Sequence, residues 1–480
     1  MKIVIFGVGK TYHDKKFNIS PQDNIEAFLD NDLSLQGKTV DGITVYEPSH
    51  IRDMQYDKIV LMSDYAYEMK RQLLNMQVSE ETIWTWKRYQ CERFRGVLKL
   101  FCYHGHHGEH KRRILVLSTY LDYNGGTIAV VHAVMALQSR GYYVVLAAPS
   151  GNQEFIEETA GQGVNIVLCP AVYHLDRSEI YWIDQFDVVM VNVFQMLPCA
   201  CEISKFKPVL WWLHEPSASY SNIYERTRKE FFQYDDISEM KFINIAAVSK
   251  IAKRNFEAYY PDRVDNILPY GIPDEYISVA EEKGSDKFTF AIIGAVEEIK
   301  AQKIFVQAVL SFAKEELEDL EFLIIGPDQA DAYYREVKTL ADKVPQINIL
   351  GRLTREEMKA IYQKIDVVVC ASMEECLPTV ITEGMMHGKV CITTEMTGMT
   401  EYITSGENGF LCKAGDAGSL WNVMKWIAEH RSELQNIREN ARETYQNNFS
   451  MESFGERLER LMAETEKSYN EMITHQHNLQ

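Results

Sequence analysis

The stretch Glu375-Cys-Leu-Pro-Thr-Val-Ile-Thr-Glu383, followed at once by Gly384-Met-Met-His-Gly388, sets two carboxylates eight positions apart. Before it, Ile365-Asp-Val-Val-Val-Cys370 is a short apolar run of the kind that forms a fully buried strand. Ala371-Ser-Met-Glu-Glu375 breaks the run, and Thr379 to Met386 has a helix-compatible composition. A buried parallel strand feeding a helix leaves the helix's first N–H groups in the crevice at the carboxyl edge of the sheet. That position suits an anion such as a sugar diphosphate. Glu375 falls at the rim of the junction and Glu383 about one to two turns inside the helix, so both can face one ligand. Ionised carboxylates only accept hydrogen bonds, which matches them to the hydroxyls of a sugar or ribose. A solvated acidic helix start would carry the same two residues, because Glu favours first turns.

The residues that follow bear on that choice. Thr393-Thr-Glu-Met-Thr-Gly-Met-Thr-Glu-Tyr-Ile403 and Ser405-Gly-Glu-Asn-Gly-Phe-Leu411 have the loop–helix–turn character of another ligand-edge connection. In spacing, order and flanking residues, 365–411 resembles the signature region of the family 4 retaining glycosyltransferases (glycosyl transferases group 1). The pattern of that family is Glu-x7-Glu, a small-residue helix, then Gly…Glu-x-Ile…Gly-x-x-Gly-Phe-Leu. The resemblance covers about residues 113–465 and leaves roughly the first hundred residues as an addition.

At 480 residues the chain has room for about three domains. A hydrophobic fraction of 46% and a charged fraction of 25% are those of a globular protein with large cores. Met1-Lys-Ile-Val-Ile-Phe-Gly7 reads as a first strand, with neither the apolar length nor the cleavage site of a signal peptide. No run approaches the roughly 18 apolar residues of a membrane span. Nine cysteines are an odd number, and Cys169, Cys370 and Cys391 lie in apolar runs, as buried thiols in a reducing cytoplasm do. Cys199-Ala-Cys201 lacks the Cys-x-x-Cys spacing of a redox pair. A net charge of −19 excludes a general nucleic-acid binder. Lys87, Arg88, Arg93, Arg95, Lys99, Lys111, Arg112 and Arg113 nevertheless cluster, with Trp84, Trp86, Phe94, Phe101 and Tyr103 interleaved. Such a run suits anionic lipid, while the plainer reading is a solvated linker.

Three units follow from the alternation of apolar runs and helical stretches. Residues 1–95 form a small α/β domain with strands at Lys2–Phe6, Ala27–Asn31 and Lys58–Met62, and Ser79–Ile83 as a helix start or turn. Gly7-x-Gly9 and Asp30 echo a dinucleotide fingerprint, but Tyr12 stands at the third glycine. Residues 96–112 read as a basic and aromatic linker. From 113 to 280 the strands are Arg113–Ser118, Tyr143–Ala147, Val164–Leu168, Val188–Val191, Pro208–Leu213, Ile245–Val248 and Asn266–Leu268. The helix Thr127–Gln138 among them has an apolar face of Ile128, Val131, Val134 and Met135. Polar residues Glu281–Lys287 mark a boundary, and 281–448 repeats the pattern from Phe288–Ile293 through Phe410-Leu411. The tail, 449–480, holds an amphipathic helix with Phe454, Leu458 and Leu461 on one stripe.

The expected fold class is α/β. The resemblance implies GT-B architecture, two Rossmann-like parallel-sheet domains facing a cleft, with 113–280 on the acceptor side and 281–448 on the nucleotide-sugar side. The small N-terminal Rossmann-like domain is additional, and the last helix crosses back to 113–280. Within this frame Gly125-Gly126, before a helix, is the acceptor or phosphate loop. His214 closes the strand run Trp211-Trp-Leu-His214, where the family has a histidine near the donor sugar. In Gly294-Ala-Val-Glu-Glu-Ile-Lys300 the family has Gly-Arg followed by a lysine; Lys300 holds the lysine position and Ala295 replaces the arginine. Lys303 and Arg352 are candidate substitutes for that cation. Gly326-Pro-Asp328 and Gly351-Arg352-Leu353 would line the base pocket.

The family mechanism assigns Glu383 to the ribose, Glu375 to the donor sugar's hydroxyls, backbone N–H groups near Thr379 and Val380 to the diphosphate, and Lys300 to its charge. It transfers sugar with retention, without a protein nucleophile, cofactor or metal, the leaving phosphate acting as base. The cluster His104, His106, His107 and His110 falls in the linker and is not expected to serve catalysis. UDP is the commonest donor base in the family. A saccharide, lipid-linked or protein-linked acceptor, a cytoplasmic location at the inner membrane face, and a partner enzyme on the N-terminal domain complete the expectation. Two other readings stay open: a GT-B binding or chaperone subunit without turnover, as Ala295 would allow, and an oxidoreductase or epimerase using the first unit.

Overall fold

A computed structural model describes residues 1–63, 65–101, 111–172, 182–221, 240, 243–276, 287–328 and 332–477. The histidine cluster 104–110 and the polar boundary 281–286 lie outside these residues. Three sheets organise the chain, each around one central strand.

In the first sheet the spatial order is Thr39–Val40, Ile43–Tyr46, Asn24–Leu29, Lys2–Phe6, Lys58–Leu61 and Ile83–Thr85, parallel except for the first pair. Alternate residues of Lys2–Phe6 enter two separate cores. Ile3 and Ile5 pack with Trp84, Trp86 and Tyr89, while Val4 and Phe6 pack with Leu29, Met69 and Leu73. The second strand runs Asn24–Leu29 rather than 27–31. Asp30 thereby falls just after the strand, where its carboxylate accepts from the Val8 N–H at 2.8 Å and the Asp32 N–H at 2.9 Å. Those bonds pin the Gly7–Gly9 turn and turn both carboxylate oxygens toward backbone N–H groups.

The second sheet runs Asn266–Ile267, Ile243–Ala247, Val209–Leu213, Val188–Asn192, Arg113–Leu117, Tyr143–Ala148, Asn165–Leu168 and Lys99–Phe101. Lys99–Phe101 corrects the linker reading of 96–112: it pairs antiparallel with Asn165–Leu168 and closes the edge of the sheet. The three-residue strand is too short to leave a periodic signature. The helix before it, Trp86–Arg93, is shared between two cores. Its Trp86 and Tyr89 belong to the first domain, and Cys91 to the large core around the second sheet. The Tyr89 hydroxyl accepts from Ser20 N–H and donates to Asp23, which also takes Arg93. Two more cations of the basic run are compensated from the tail helix. Lys111 pairs with Glu459 at 2.9 Å and Arg112 with Glu466 at 2.6 Å, so the tail helix neutralises them.

The third sheet is parallel throughout: Ile347–Gly351, Leu320–Ile325, Phe288–Ile293, Val367–Cys370, Val390–Thr394 and Phe410–Cys412. In this sheet and the second, the chain winds outward from the central strand one way, then returns to wind the other way. Each therefore has a switch point at which two strands leave in opposite directions, the usual place for a ligand at the carboxyl edge. In the second sheet it lies between Arg113–Leu117 and Val188–Asn192; in the third, between Phe288–Ile293 and Val367–Cys370.

The helix Met451–His477 leaves the third-sheet domain and packs along the second. Phe454 stacks on Trp212 with ring centroids 5.7 Å apart, and Leu458, Leu461 and Met462 are buried beside it. Gly271 lies under Phe454 so closely that a Cβ there would sit 2.6 Å from the phenylalanine Cβ. The helix Gly125–Ser139 starts two residues earlier than its apolar period suggests, because Asn124 caps it, and Ile128 is exposed rather than on the buried face. None of the described helices is long and apolar enough to cross a membrane.

Candidate functional site

The carboxyl edges of the second and third sheets meet. Glu374 accepts from the Ser217 N–H at 2.8 Å, from the Ser217 hydroxyl, and from the Asn255 amide at 2.7 Å. Cys376 Sγ donates to Glu215 O at 3.0 Å, Tyr270 OH to Leu377 O at 2.8 Å, and the Lys250 N–H to Glu401. The loop 374–377 is thus clamped to residues 215–217 and 255 across the cleft, with Glu375 in its middle.

Lys300 and Glu375 come together as an ion pair across the switch point of the third sheet. Glu375 also accepts from the Ser372 hydroxyl at 2.9 Å and from Cys370 Sγ at 3.3 Å. Burial draws the Lys300 pKa down, but the charge and hydrogen bond of Glu375 outweigh it, and the ammonium ends above its usual range. The lysine is aimed by its backbone. Ala301 adopts φ +55°, and the buried Gln302 donates to Ala295 O at 2.7 Å, bracing the 294–300 loop. Gly294 and Gly326, ending adjacent strands, touch: a Cβ on Gly326 would lie 2.0 Å from Gly294 O.

The helix Thr379–Met386 begins after Pro378 without a side-chain cap. Its first backbone bond comes from the Ile381 N–H to Pro378 O, which leaves the Thr379 and Val380 N–H groups outside the ladder. Glu383 lies one turn in, and accepts from the buried Tyr362 hydroxyl at 2.7 Å. Burial raises the Glu383 pKa, partly offset by that bond. Tyr362 in turn stacks on His387 at 4.5 Å, whose pKa burial lowers to about 4.

Two candidates for the missing cation are placed elsewhere. Lys303 pairs with Glu336 at 2.8 Å. Arg352 is exposed after the edge strand Ile347–Gly351, two strands from Gly294 and so about 10 Å away in the sheet plane. Gly125 and Gly126 open the helix Gly125–Ser139 at the switch point of the second sheet.

His214 ends the strand Val209–Leu213. The residue is only half-buried, yet its Nε2 is enclosed and has no hydrogen-bond partner among the described residues. Burial lowers its pKa to about 3, so the ring is neutral near pH 7. The folded chain then binds fewer protons than the unfolded chain between the ordinary histidine value and about 3, so this contribution to stability is complete above pH ~6.5 and is lost as the pH falls toward 3. His214→Gln is expected to melt with a shallower loss of Tm than the wild type between pH 6.5 and 4. Equal slopes in a thermal-melt series would refute the neutral-histidine assignment.

Residues that the sequence did not single out complete the edge. Glu374, Ser372, Tyr362 and Tyr270 hold Glu375, Glu383 and the loop between them. Glu215 accepts from the Phe194 and His214 N–H groups and pins Val193, a β-branched residue at φ +64°. Asn192 had a readable sign, as the polar residue ending the apolar run Val188-Val-Met-Val191.

Two Rossmann-like domains with facing carboxyl edges define the GT-B class. Residues 274–444 match the glycosyl transferases group 1 family, and residues 1–84 match the family described as C2185-like, N-terminal. The chain carries a glycosyl transferases group 1 domain behind an additional N-terminal domain. An uncharacterized glycosyltransferase of Methanocaldococcus jannaschii is 24% identical over 224 residues, 46% of this chain and 59% of that protein. A Campylobacter jejuni α-1,4-N-acetyl-D-galactosaminyltransferase, whose name specifies a diNAcBac-PP-undecaprenol-linked acceptor, is 27% identical over 180 residues, 37% of this chain and 48% of that one. The chain thus spans about half the length of these relatives. Among solved structures, Anabaena HepE in complex with UDP-glucose superposes with a TM-score of 0.61 at 15% identity, over 74% of this chain and all of that one, which establishes the shared fold.

Proposed function

We propose that this chain is a retaining glycosyltransferase that moves a sugar from a nucleotide donor, UDP-linked first among candidates, to a saccharide, lipid-linked or protein-linked acceptor in glycan synthesis. The observation that carries this reading is the convergence of Lys300, Glu375, Glu383 and the open start of the helix Thr379–Met386 on one switch point, opposite His214. The helix start and Lys300 receive the diphosphate. As the leaving phosphate arrives, Lys300 exchanges part of its bond to Glu375 for the phosphate oxygens, and Glu375 is freed to accept from a sugar hydroxyl. Glu383 takes the ribose hydroxyls, with Tyr362 holding its carboxylate in place. The acceptor attacks on the face that the phosphate leaves, the phosphate takes its proton, and the configuration is retained. The scheme calls for no metal or cofactor. The HepE structure, solved with UDP-glucose, supports the choice of UDP as first candidate.

The test is release of nucleotide from a panel of UDP-, GDP-, ADP- and dTDP-sugars. One donor is expected to be turned over. Charge-assisted hydrogen bonds contribute roughly 1.5–3 kcal/mol each, so Glu383→Ala is expected to weaken donor use by about ten- to a hundredfold. Unchanged turnover in that variant would remove the ribose assignment. Failure to bind any of the four nucleotides in calorimetry would remove the donor site itself.

A further inference from the structure

Glu375 is held from both sides. Its predecessor Glu374 accepts from Ser217 and Asn255 of the opposite domain, and its successor Cys376 donates through Sγ to Glu215 O of that domain at 3.0 Å. The two ties land on different elements. Glu215 follows the strand Val209–Leu213, whereas Asn255 lies in the helix Lys250–Glu257. Asn255 joins them: its amide nitrogen donates to Glu374 Oε1 at 2.7 Å and reaches Glu215 O at 3.5 Å.

Asn255 is 6% exposed, so an amide that lost these partners would have little water to turn to. Its main partner is a charge. Burial pushes the Glu374 pKa up, but the bonds from Ser217 and Asn255, with the Arg254 charge nearby, more than reverse this, and the carboxyl ends below its usual range. The Asn255 bond is therefore charge-assisted near neutral pH.

Both elements that the amide touches are themselves fixed. Ser249 caps the helix Lys250–Glu257 by accepting from the Ala252 N–H at 3.2 Å, and the Lys250 N–H donates to Glu401 of the third-sheet domain at 2.6 Å. Glu215 pins the strand end, its carboxylate accepting from the His214 N–H at 2.9 Å and the Phe194 N–H at 2.5 Å. A braced helix, a pinned strand end and the Glu375 loop thus meet at one side chain.

We infer that Asn255 is a positioning residue for sugar transfer: it sets His214 and Glu375, on opposite sides of the cleft, at a fixed separation, and itself touches neither nucleotide nor sugar. This inference rests on the glycosyltransferase reading above. In that reading Lys300, Glu383 and the start of the helix Thr379–Met386 hold the nucleotide, and all belong to the third-sheet domain. The sugar instead lies between the domains. Loosening the amide therefore slows transfer and leaves nucleotide binding in place.

The experiment uses the full chain. The substrate is whichever of the UDP-, GDP-, ADP- and dTDP-sugars the wild type turns over, and the matching nucleoside diphosphate is the binding probe in calorimetry. A displacement of about 1 Å costs about a hundredfold in rate, so Asn255→Ala is expected to lower kcat by about ten- to a hundredfold. The KM for the donor and the nucleoside diphosphate affinity should stay within about threefold of wild type. Glu374→Ala, at a half-buried loop residue, should show the same split, and it carries the test if Asn255→Ala does not fold. The double variant should lie within about threefold of the slower single variant, because both deletions remove one bond. A kcat within about threefold of wild type in the folded single variants overturns the inference. So does a nucleoside diphosphate affinity that falls in parallel with kcat, and so do losses that multiply in the double variant. In each of these cases the glycosyltransferase reading stands. A wild type that turns over none of the four sugar classes removes that reading, and the inference with it.

Discussion

Lys300→Ala is expected to reduce nucleotide-sugar turnover by about a hundred- to a thousandfold, the scale of one lost preorganised charge at a developing anion. The size follows from Ala295. Where the family pattern has an arginine and a lysine against the leaving diphosphate, this loop offers the lysine alone. Lys303 is paired to Glu336 and Arg352 stands two strands away, so neither is placed to share its task. The substitution also strips Glu375 of its cation and leaves an unpaired carboxylate beside the diphosphate site proposed above, where it would repel the donor. A double-mutant cycle separates the two contributions. If Lys300 acts only by neutralising Glu375, the Lys300→Ala, Glu375→Gln double variant should regain most of the loss. If it acts on the phosphate, the double variant should stay within about tenfold of Lys300→Ala, and that is the outcome expected. Turnover within threefold of wild type in Lys300→Ala would eliminate the assignment.

Gly398→Ala is the second large effect. A methyl there would stand 1.8 Å from Cys376 O and 2.6 Å from Ser249 Cβ. Both neighbours are parts of the clamp between domains: Gly398 N–H donates to Glu375 O at 3.0 Å, while Ser249 caps the helix Lys250–Glu257 of the opposite domain. Relief requires the Glu375 loop to withdraw by an ångström or more. Overpacking of this kind costs about 1–3 kcal/mol, and a displacement of about 1 Å at a reacting centre costs about a hundredfold in rate. Thermal melts and turnover should therefore fall together. Gly161→Ala is the control, since a Cβ there meets nothing within 4 Å; its stability should be unchanged or slightly raised. A Gly398→Ala protein with wild-type Tm and turnover would show that the domains do not need to meet at this point.

The parts of this architecture that repeat were legible. Buried parallel strands such as Val367–Cys370 and Val390–Thr394 write themselves as apolar runs, and the loops after them follow by alternation. The Glu375–Glu383 spacing marked the strand-to-helix junction at the carboxyl edge of the third sheet, because a helix start fixes both residues relative to one crevice. Short or shared elements were not legible. Lys99–Phe101 is a strand only because Asn165–Leu168 offers it an edge, and Asn124 sets the helix start ahead of the apolar period. Partner choice was equally hidden. Lys300 with Glu375, Tyr362 with Glu383, and Glu374 with Ser217 are contacts between segments 21 to 157 positions apart. Periodicity carries no information about which distant side chain a strand end will face.

The helix Trp86–Arg93, lodged in two cores at once, bears on how separable the leading domain is. A domain joined by a loose tether can be cut away, exchanged or mounted on another protein, and each half survives the operation. Here the seam runs through the middle of a helix. Scission after residue 84 would strip Trp86 and Tyr89 from the first core, while scission after 93 would take Cys91 from the second and leave Lys99–Phe101 to hold the sheet edge alone. A functional graft of the leading domain must accordingly carry the residues through Phe101 together with the sheet edge that receives them.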